Sequence, residues 1–160
     1  MKKVWGGALV LAVLTSIPLT ASAGGNETYI SATAYNACEE YGEGYGIQPE
    51  LLMAIIEAES GGNPRAVNGN CMGLMQVNPN YHSERMQRLD VYDIYDEEGN
   101  IFVGTDYLHE LFEEYGEVTL VLDLYNGNSK AFYNYDNGIV SDYAQKVLTR
   151  SRELEVLHGK

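Results

Sequence analysis

Positive charge is scarce in this 160-residue chain: Lys plus Arg number 10 against 23 Asp plus Glu, for a net charge of −13. Phosphate backbones are bound by clustered cations, so nucleic acid is excluded as a partner. Anionic lipid surfaces are disfavoured for the same reason. Cysteines number two, histidines three and tryptophan one. There is no Cys-x-x-Cys, and His82, His109 and His158 lie at no ligand spacing, so no metal and no other cofactor is expected. Internal repeats and low-complexity tracts are also missing. Phenylalanine is rare, at three residues, whereas tyrosine reaches thirteen. A tyrosine has an apolar body and a polar tip, which suits wet grooves that hold polar ligands such as sugars; partly exposed core rings are the plainer explanation. Apolar residues make up 45% and charged residues 21%, the balance of an ordinary globular domain.

The first residues have the layout of a secretory signal peptide. Lys2 and Lys3 are followed by an apolar or glycine stretch from Val4 to Leu14, and Ala21-Ser22-Ala23 supplies a small-x-small cleavage site. Thr15, Ser16 and Pro18 break the stretch too early for a bilayer span. Cleavage after Ala23 therefore predicts an exported protein, in the periplasm, cell wall or medium, with no stable membrane insertion. Removal of residues 1–23 takes away two lysines and no acid, which moves the net charge to −15. Residues 24–34 are expected to be a flexible leader, and residues 35–160 one folded domain. A domain of that size buries roughly two-thirds of its unfolded surface, enough for a single core. An even pair of cysteines in an exported chain predicts a disulfide between Cys38 and Cys71. Two buried thiols are the alternative.

The periodicity is mainly helical. Pro49 suits the first position of a helix over 49–60, with Leu52, Ile55, Ile56 and Glu59 on one face. Gly61, Gly62 and Pro64 end it. Residues 66–80 are rich in turn formers, and any sheet is expected to be small and to lie there. A short helix is expected over 83–89 and a clear one over 101–115, with Gly116 placed to cap it. Further helices are expected over 118–125 and from about Ser141 to Leu157. The fold class is therefore α+β, predominantly helical, with at most a small β element.

Glu59 is the residue on which chemistry is most expected. It lies on the apolar face of its helix and at the C-terminal end, so desolvation and the helix dipole both favour the protonated form. A carboxylic acid kept protonated near neutral pH is what a general acid needs. Glu57 shares a face with Glu50 and Met53 and is expected to point to solvent. Asp93, Asp96, Glu97 and Glu98 read as a solvated acidic loop.

The runs around Glu59 carry a resemblance. AIIEAESGGNP (54–64) leads through a turn to GLMQVNP (73–79); then come Asn100-Ile101, Gly104, Tyr107-Leu108, LYNGN (124–128) and SDYAQKVL (141–148). In this order and spacing they resemble the transglycosylase domain of the soluble lytic transglycosylases, relatives of goose-type lysozyme, over roughly residues 45–150. The resemblance implies a lysozyme-like fold acting on peptidoglycan glycan strands. It implies cleavage of the β-1,4 bond between N-acetylmuramic acid and N-acetylglucosamine, with 1,6-anhydro-muramic acid ends formed. Glu59 matches the family's acid, which protonates the glycosidic oxygen and then takes the proton of the C6 hydroxyl. Ser60 matches the serine after it. Gly73 is expected to let backbone approach the sugar, and Met75 and Gln76 match groove residues. Tyr125 and Asn126 match a Tyr-Asn pair whose tyrosine hydroxyl hydrogen-bonds the acid, and Tyr143 matches a groove tyrosine. The family's Ala-Tyr-Asn-Ala-Gly stands here as Leu124-Tyr125-Asn126-Gly127-Asn128, a departure that bears on the shape of the groove. Phe132, Tyr133 and Tyr135 follow, as a sugar-stacking lip or as packing. Other readings are a lysozyme-type hydrolase on the same fold and a catalytically idle wall-binding or assembly protein. A monomer is expected, with a secretion, conjugation or phage apparatus as a further partner class.

Overall fold

A computed structural model describes residues 29–160; the expected signal peptide and residues 24–28 lie outside them. In chain order the elements are α1 (Ala32–Tyr45), α2 (Pro49–Ser60), β1 (Val67–Asn68), β2 (Cys71–Met72), α3 (Ser83–Arg88), α4 (Glu97–Tyr115), α5 (Val118–Tyr125), α6 (Ala131–Asp136) and α7 (Asp142–Leu157). The expected class stands: the described chain is mostly helical, and its two strands form one antiparallel hairpin with Asn68 opposite Cys71. No helix among the described residues is long and apolar enough to cross a membrane.

α2 is the axis of the domain. Leu52, Met53, Ile55 and Ile56 are fully buried, so the helix is covered on nearly every side. It packs against α7 on one side and α1 on the other, while α1 also packs along α4. Truncating one of these side chains, Leu52→Ala for example, removes packing worth about 2–5 kcal/mol. Pro49 stands in the first turn, and Gly61 closes the helix in the left-handed region at φ 62° with its N–H on the Glu57 carbonyl at 3.2 Å.

Three expectations need correction here. The helix α1 begins at Ala32, capped by the Ser31 hydroxyl on the Ala34 N–H, so residues 32–34 are helical rather than leader. Cys38 and Cys71 are free thiols. Cys38 faces the core from α1, and Cys71 sits half-buried on the hairpin, so the fold commits the two side chains to different neighbourhoods. Glu57 does not point to solvent. Its side chain is 11% exposed and accepts from Arg150 of α7 at 2.6 and 3.1 Å. Its companions on that face, Glu50 and Met53, are buried as well, Glu50 with Lys160 Nζ at 2.8 Å and His158 Nδ1 at 2.8 Å.

The acidic run before α4 is also more than a solvated loop. Asp96 caps the helix by accepting from the Gly99 N–H at 2.8 Å, and Asp93 accepts from the Tyr95 N–H at 2.9 Å. Glu97 accepts from Ser31, and Glu98 from the Tyr41 hydroxyl at 3.1 Å. Negative side chains in a first helical turn are favoured by the exposed N–H groups there.

Candidate active site

Glu59 stands in the last turn of α2, where α5 and α7 approach. The Tyr143 hydroxyl, from the first turn of α7, donates to Glu59 Oε1 at 2.6 Å. Asn126, at the C-terminal cap of α5, also hydrogen-bonds the carboxyl. Burial holds the Glu59 carboxyl above the usual glutamate range; the bonds from Tyr143 and Asn126 and the positive charge of Lys146 oppose it without cancelling it. Tyr143 is itself pushed far above the ordinary phenol range by burial and by the charge of Glu59, so it remains a donor at any working pH. The site is a carboxyl group in apolar surroundings, oriented by neutral donors.

The tyrosine expected to touch the acid is not the one that does. Tyr125 sends its hydroxyl to the Met75 carbonyl at 3.0 Å, and Tyr143 takes the role on Glu59. Tyr125 nevertheless lies within electrostatic range of Glu59, and burial raises its hydroxyl well above the ordinary range. Cys71 also feels the Glu59 charge, second to the effect of its own burial.

The run 73–77 is fixed by close packing and by its own hydrogen bonds. Met75 is fully buried, and its sulfur fills the space that a side chain at Gly104 would need: a Cβ there would lie 2.6 Å from Sδ. Gln76 adopts a positive φ of 51°, and its Nε2 donates to the Gly73 carbonyl at 2.9 Å and the Ala66 carbonyl at 3.2 Å. Gly73 has φ 79°, and a Cβ at this position would fall 2.2 Å from Asn100 Nδ2. What approaches Gly73 so closely is therefore Asn100 of α4. The Ser60 hydroxyl turns back to the Ile56 carbonyl at 3.0 Å and accepts from the Gly62 N–H at 3.2 Å, finishing the end of α2.

Asn100 is the residue to which sequence reasoning gave no role. It is buried, donates to the Met72 and Ile94 carbonyls at 3.0 and 2.9 Å, and accepts from the Met75 N–H at 2.8 Å. It ties the loop after the hairpin to α4. Its signal was its place in the Asn100-Ile101 pair, where a polar residue precedes an apolar helical stripe.

A second polar cluster lies between α3 and α4. Asp106, 8% exposed, accepts from Arg85 Nε at 2.7 Å, Arg88 Nη2 at 2.6 Å and the Tyr45 hydroxyl at 2.9 Å. Arg85 reaches His82 Nδ1 at 2.6 Å, contacts Glu110, and lies 5.0 Å from the ring centroid of Tyr107. Hydrogen bonds from Arg88, Arg85 and Tyr45 hold the Asp106 carboxyl below the usual range, although burial pulls it upward. Burial, aided by Arg85, holds the His82 imidazole down to about 4. Among the described residues no group of three or more His, Cys, Asp or Glu is placed to hold a metal ion.

Comparison with known proteins adds a consistent frame. The family model "Transglycosylase SLT domain" matches residues 36–148. A transglycosylase of Enterobacteria phage PRD1 is 36% identical over 86 residues, covering 53% of this chain and 31% of that protein. An endo-type membrane-bound lytic murein transglycosylase A of Enterobacter sp. (strain 638) is 36% identical over 78 residues, covering 44% of this chain and 38% of the relative. The chain thus spans about a third of the length of these relatives. Among solved structures, an inactive mutant of the lytic transglycosylase Slt from Pseudomonas aeruginosa superposes with a TM-score of 0.66 at 20% identity, over 78% of this chain and 24% of that one. The 70 kDa soluble lytic transglycosylase from Escherichia coli superposes with a TM-score of 0.67 at 23% identity, again over 78% and 24%. These superpositions bear on the fold, which is the lysozyme-like one expected.

Proposed function

The chain belongs to the transglycosylase SLT domain family, and from that premise we propose that it is a peptidoglycan lytic transglycosylase with Glu59 as its acid and base. The substrate is the β-1,4 bond between N-acetylmuramic acid and N-acetylglucosamine. The observation that carries the reading is the Glu59 carboxyl itself: it is raised by burial and held by Tyr143 and Asn126 instead of by a cation in contact.

The chemistry follows from that state. Protonated Glu59 gives its proton to the glycosidic oxygen, the C1–O bond breaks, and the leaving sugar departs as an alcohol. The muramic acid carries the resulting oxocarbenium-like charge, shared with its own N-acetyl group. Glu59, now a carboxylate, removes the proton of the C6 hydroxyl. The C6 oxygen closes on C1, which gives the 1,6-anhydro end and returns Glu59 to its protonated form. No water is consumed. The Tyr143 hydroxyl stabilises the carboxylate stage and fixes the direction of its lone pairs, while burial stabilises the acid stage. A single group serving as acid and then base needs a pKa between the two tasks, which these opposing influences supply.

Residues 1–23 are proposed to direct export, which places residues 35–160 as a catalytic domain beside the wall. Glycan strands are the proposed partner. The test is mass spectrometry of muropeptides released from purified wall, with Glu59→Gln in parallel. Anhydro products that are one water lighter than hydrolysed ones, and lost in the variant, are expected. Hydrated ends lost in the variant would replace the reading with a lysozyme-type hydrolase. No release from wall, with binding retained, would replace it with a wall-binding protein.

A further inference from the structure

A cavity of about 620 Å³ lies between α2 and α7, and no step described above uses it. Ala54, Glu57, Ala58 and Gly61 line it from α2. Their spacing of three and four residues puts them on one face of that helix. Glu59 belongs to another face, with Leu52, Ile55 and Ile56, so the cavity opens on a different side of α2 from the acid. Its volume is that of a small-molecule site.

The lining carries both signs of charge. Arg150 is engaged by Glu57 at 2.6 Å and by Glu153 at 3.2 Å. Lys146 is exposed, and among the described residues it has no ion-pair partner. With Asp142, three carboxylates face two cations, so a purely anionic ligand is disfavoured. Lys146 and Glu153 stand seven residues apart on α7, about 10 Å along the helix, and an extended tripeptide has about the same length. The Gln145 amide bonds the Thr149 hydroxyl at 3.0 Å, and both offer polar atoms to peptide groups. Ala54 and Ala58 leave room for methyl-sized side chains.

We propose that this cavity binds a short free peptide of small residues, its carboxylate on Lys146 and its ammonium on Glu153, and that occupancy is felt at Glu59 through Lys146. Glu59 interacts with Tyr143 and Lys146 of α7, Asn126 and Tyr125 of the α5 end, and Cys71 of the hairpin. Lys146 is the one cation of these five, and it favours the carboxylate form. A peptide carboxylate beside Lys146 offsets that charge, so Glu59 holds its proton to higher pH. The effect on catalysis rests on the reading of Glu59 as the acid; the binding does not.

The test titrates the full protein with trialanine and reads binding by calorimetry and Glu59 by carboxyl-carbon NMR. N-acetylation or C-amidation of the peptide is expected to weaken binding by about two- to fivefold each, as are Lys146→Ala and Glu153→Gln. Ala58→Leu, which fills the floor and leaves both charges in place, should abolish binding. Saturation should move the Glu59 titration and the high-pH limb of wall cleavage upward, and Lys146→Ala should remove that movement. Absence of binding, binding indifferent to capping of either end, full binding in Ala58→Leu, or saturation with an unmoved Glu59 would each overturn the proposal. A Glu59 titration that moves on binding, in a protein that releases nothing from wall, would keep the cavity and reject only the chemistry at Glu59.

Discussion

Glu59 and Asp106 are both carboxyl groups drawn out of water, and their affinities for a proton move in opposite directions. Burial acts on each in the same sense. Asp106 has two arginines and a tyrosine in contact, and it is held ionised. Glu59 has a tyrosine and an asparagine, with Lys146 acting on it through space, and it is held above the ordinary range. Glu50 repeats the first pattern: buried, it has Lys160 and His158 as partners and lies below the ordinary range. The three carboxyls differ in the charge of their partners and not in being drawn out of water, and this sets the proposed working acid apart from the two paired ones. A buried anion with arginines fastens α3 to α4. A buried acid with neutral donors keeps a proton available.

The strongest way to break this comparison is to remove each group's function in turn. Glu59→Gln is expected to lower glycan release by about a thousandfold, within the range of general-acid contributions, with little change in thermal midpoint; loss of folding instead would make Glu59 structural. Asp106→Asn should do the reverse. It leaves Arg85 with reduced compensation and is expected to cost about 3 kcal/mol in urea unfolding, with residual activity in the folded fraction.

His82 provides the next test, because it belongs to the Asp106 region. Its folded-state affinity for a proton is depressed to about 4, so below the ordinary histidine range the unfolded chain binds the proton first. Stability contributed by this site is therefore present above pH 6.5 and is lost as the pH falls towards 4, by about 3 kcal/mol at most. His82→Gln should flatten that part of the stability profile. An unchanged slope would remove His82 as its source.

Two smaller effects sharpen the site itself. Asn126→Lys would place a cation where Glu59 now has an amide, making it resemble Asp106. The high-pH limb of activity should then move to lower pH, and neutral-pH turnover should fall by about tenfold or more. Tyr143→Phe removes a bond that favours the carboxylate, so Glu59 should hold its proton to higher pH and the same limb should move upward. Turnover should fall by about tenfold as orientation is lost. Opposite movements of one limb in two variants would not follow from simple loss of structure.

The elements with local signals were legible in the sequence. Pro49 and Gly61 bracket α2 at the expected bounds, and Ser141 marks the start of α7 by accepting from the Ala144 N–H at 3.1 Å. Glu59 was legible because helical spacing alone puts it beside Ile55 and Ile56. α1 was not: its buried side is made of small residues, Ala34, Ala37, Cys38 and Gly42, which give little hydrophobic contrast. Gly42 also permits the close turn into α2, since a Cβ there would meet the Ile47 carbonyl at 2.8 Å. α6 is a single short helix whose outward aromatic residues blur its periodicity. The exchange of roles between Tyr125 and Tyr143 depends on how α5 and α7 settle around α2, which spacing along the chain does not encode. The same holds for Gly73, whose need for a missing side chain arises from Asn100, a residue far along the chain.

The most direct test of the account is carboxyl-carbon NMR of the intact protein, following Glu59 and Asp106 through one pH titration. Glu59 is expected to take up its proton above the range of an ordinary glutamate and Asp106 below that of an ordinary aspartate, and Tyr143→Phe is expected to raise Glu59 further. A Glu59 that titrates at or below the ordinary range would contradict it, because a carboxyl already ionised there has no proton to give.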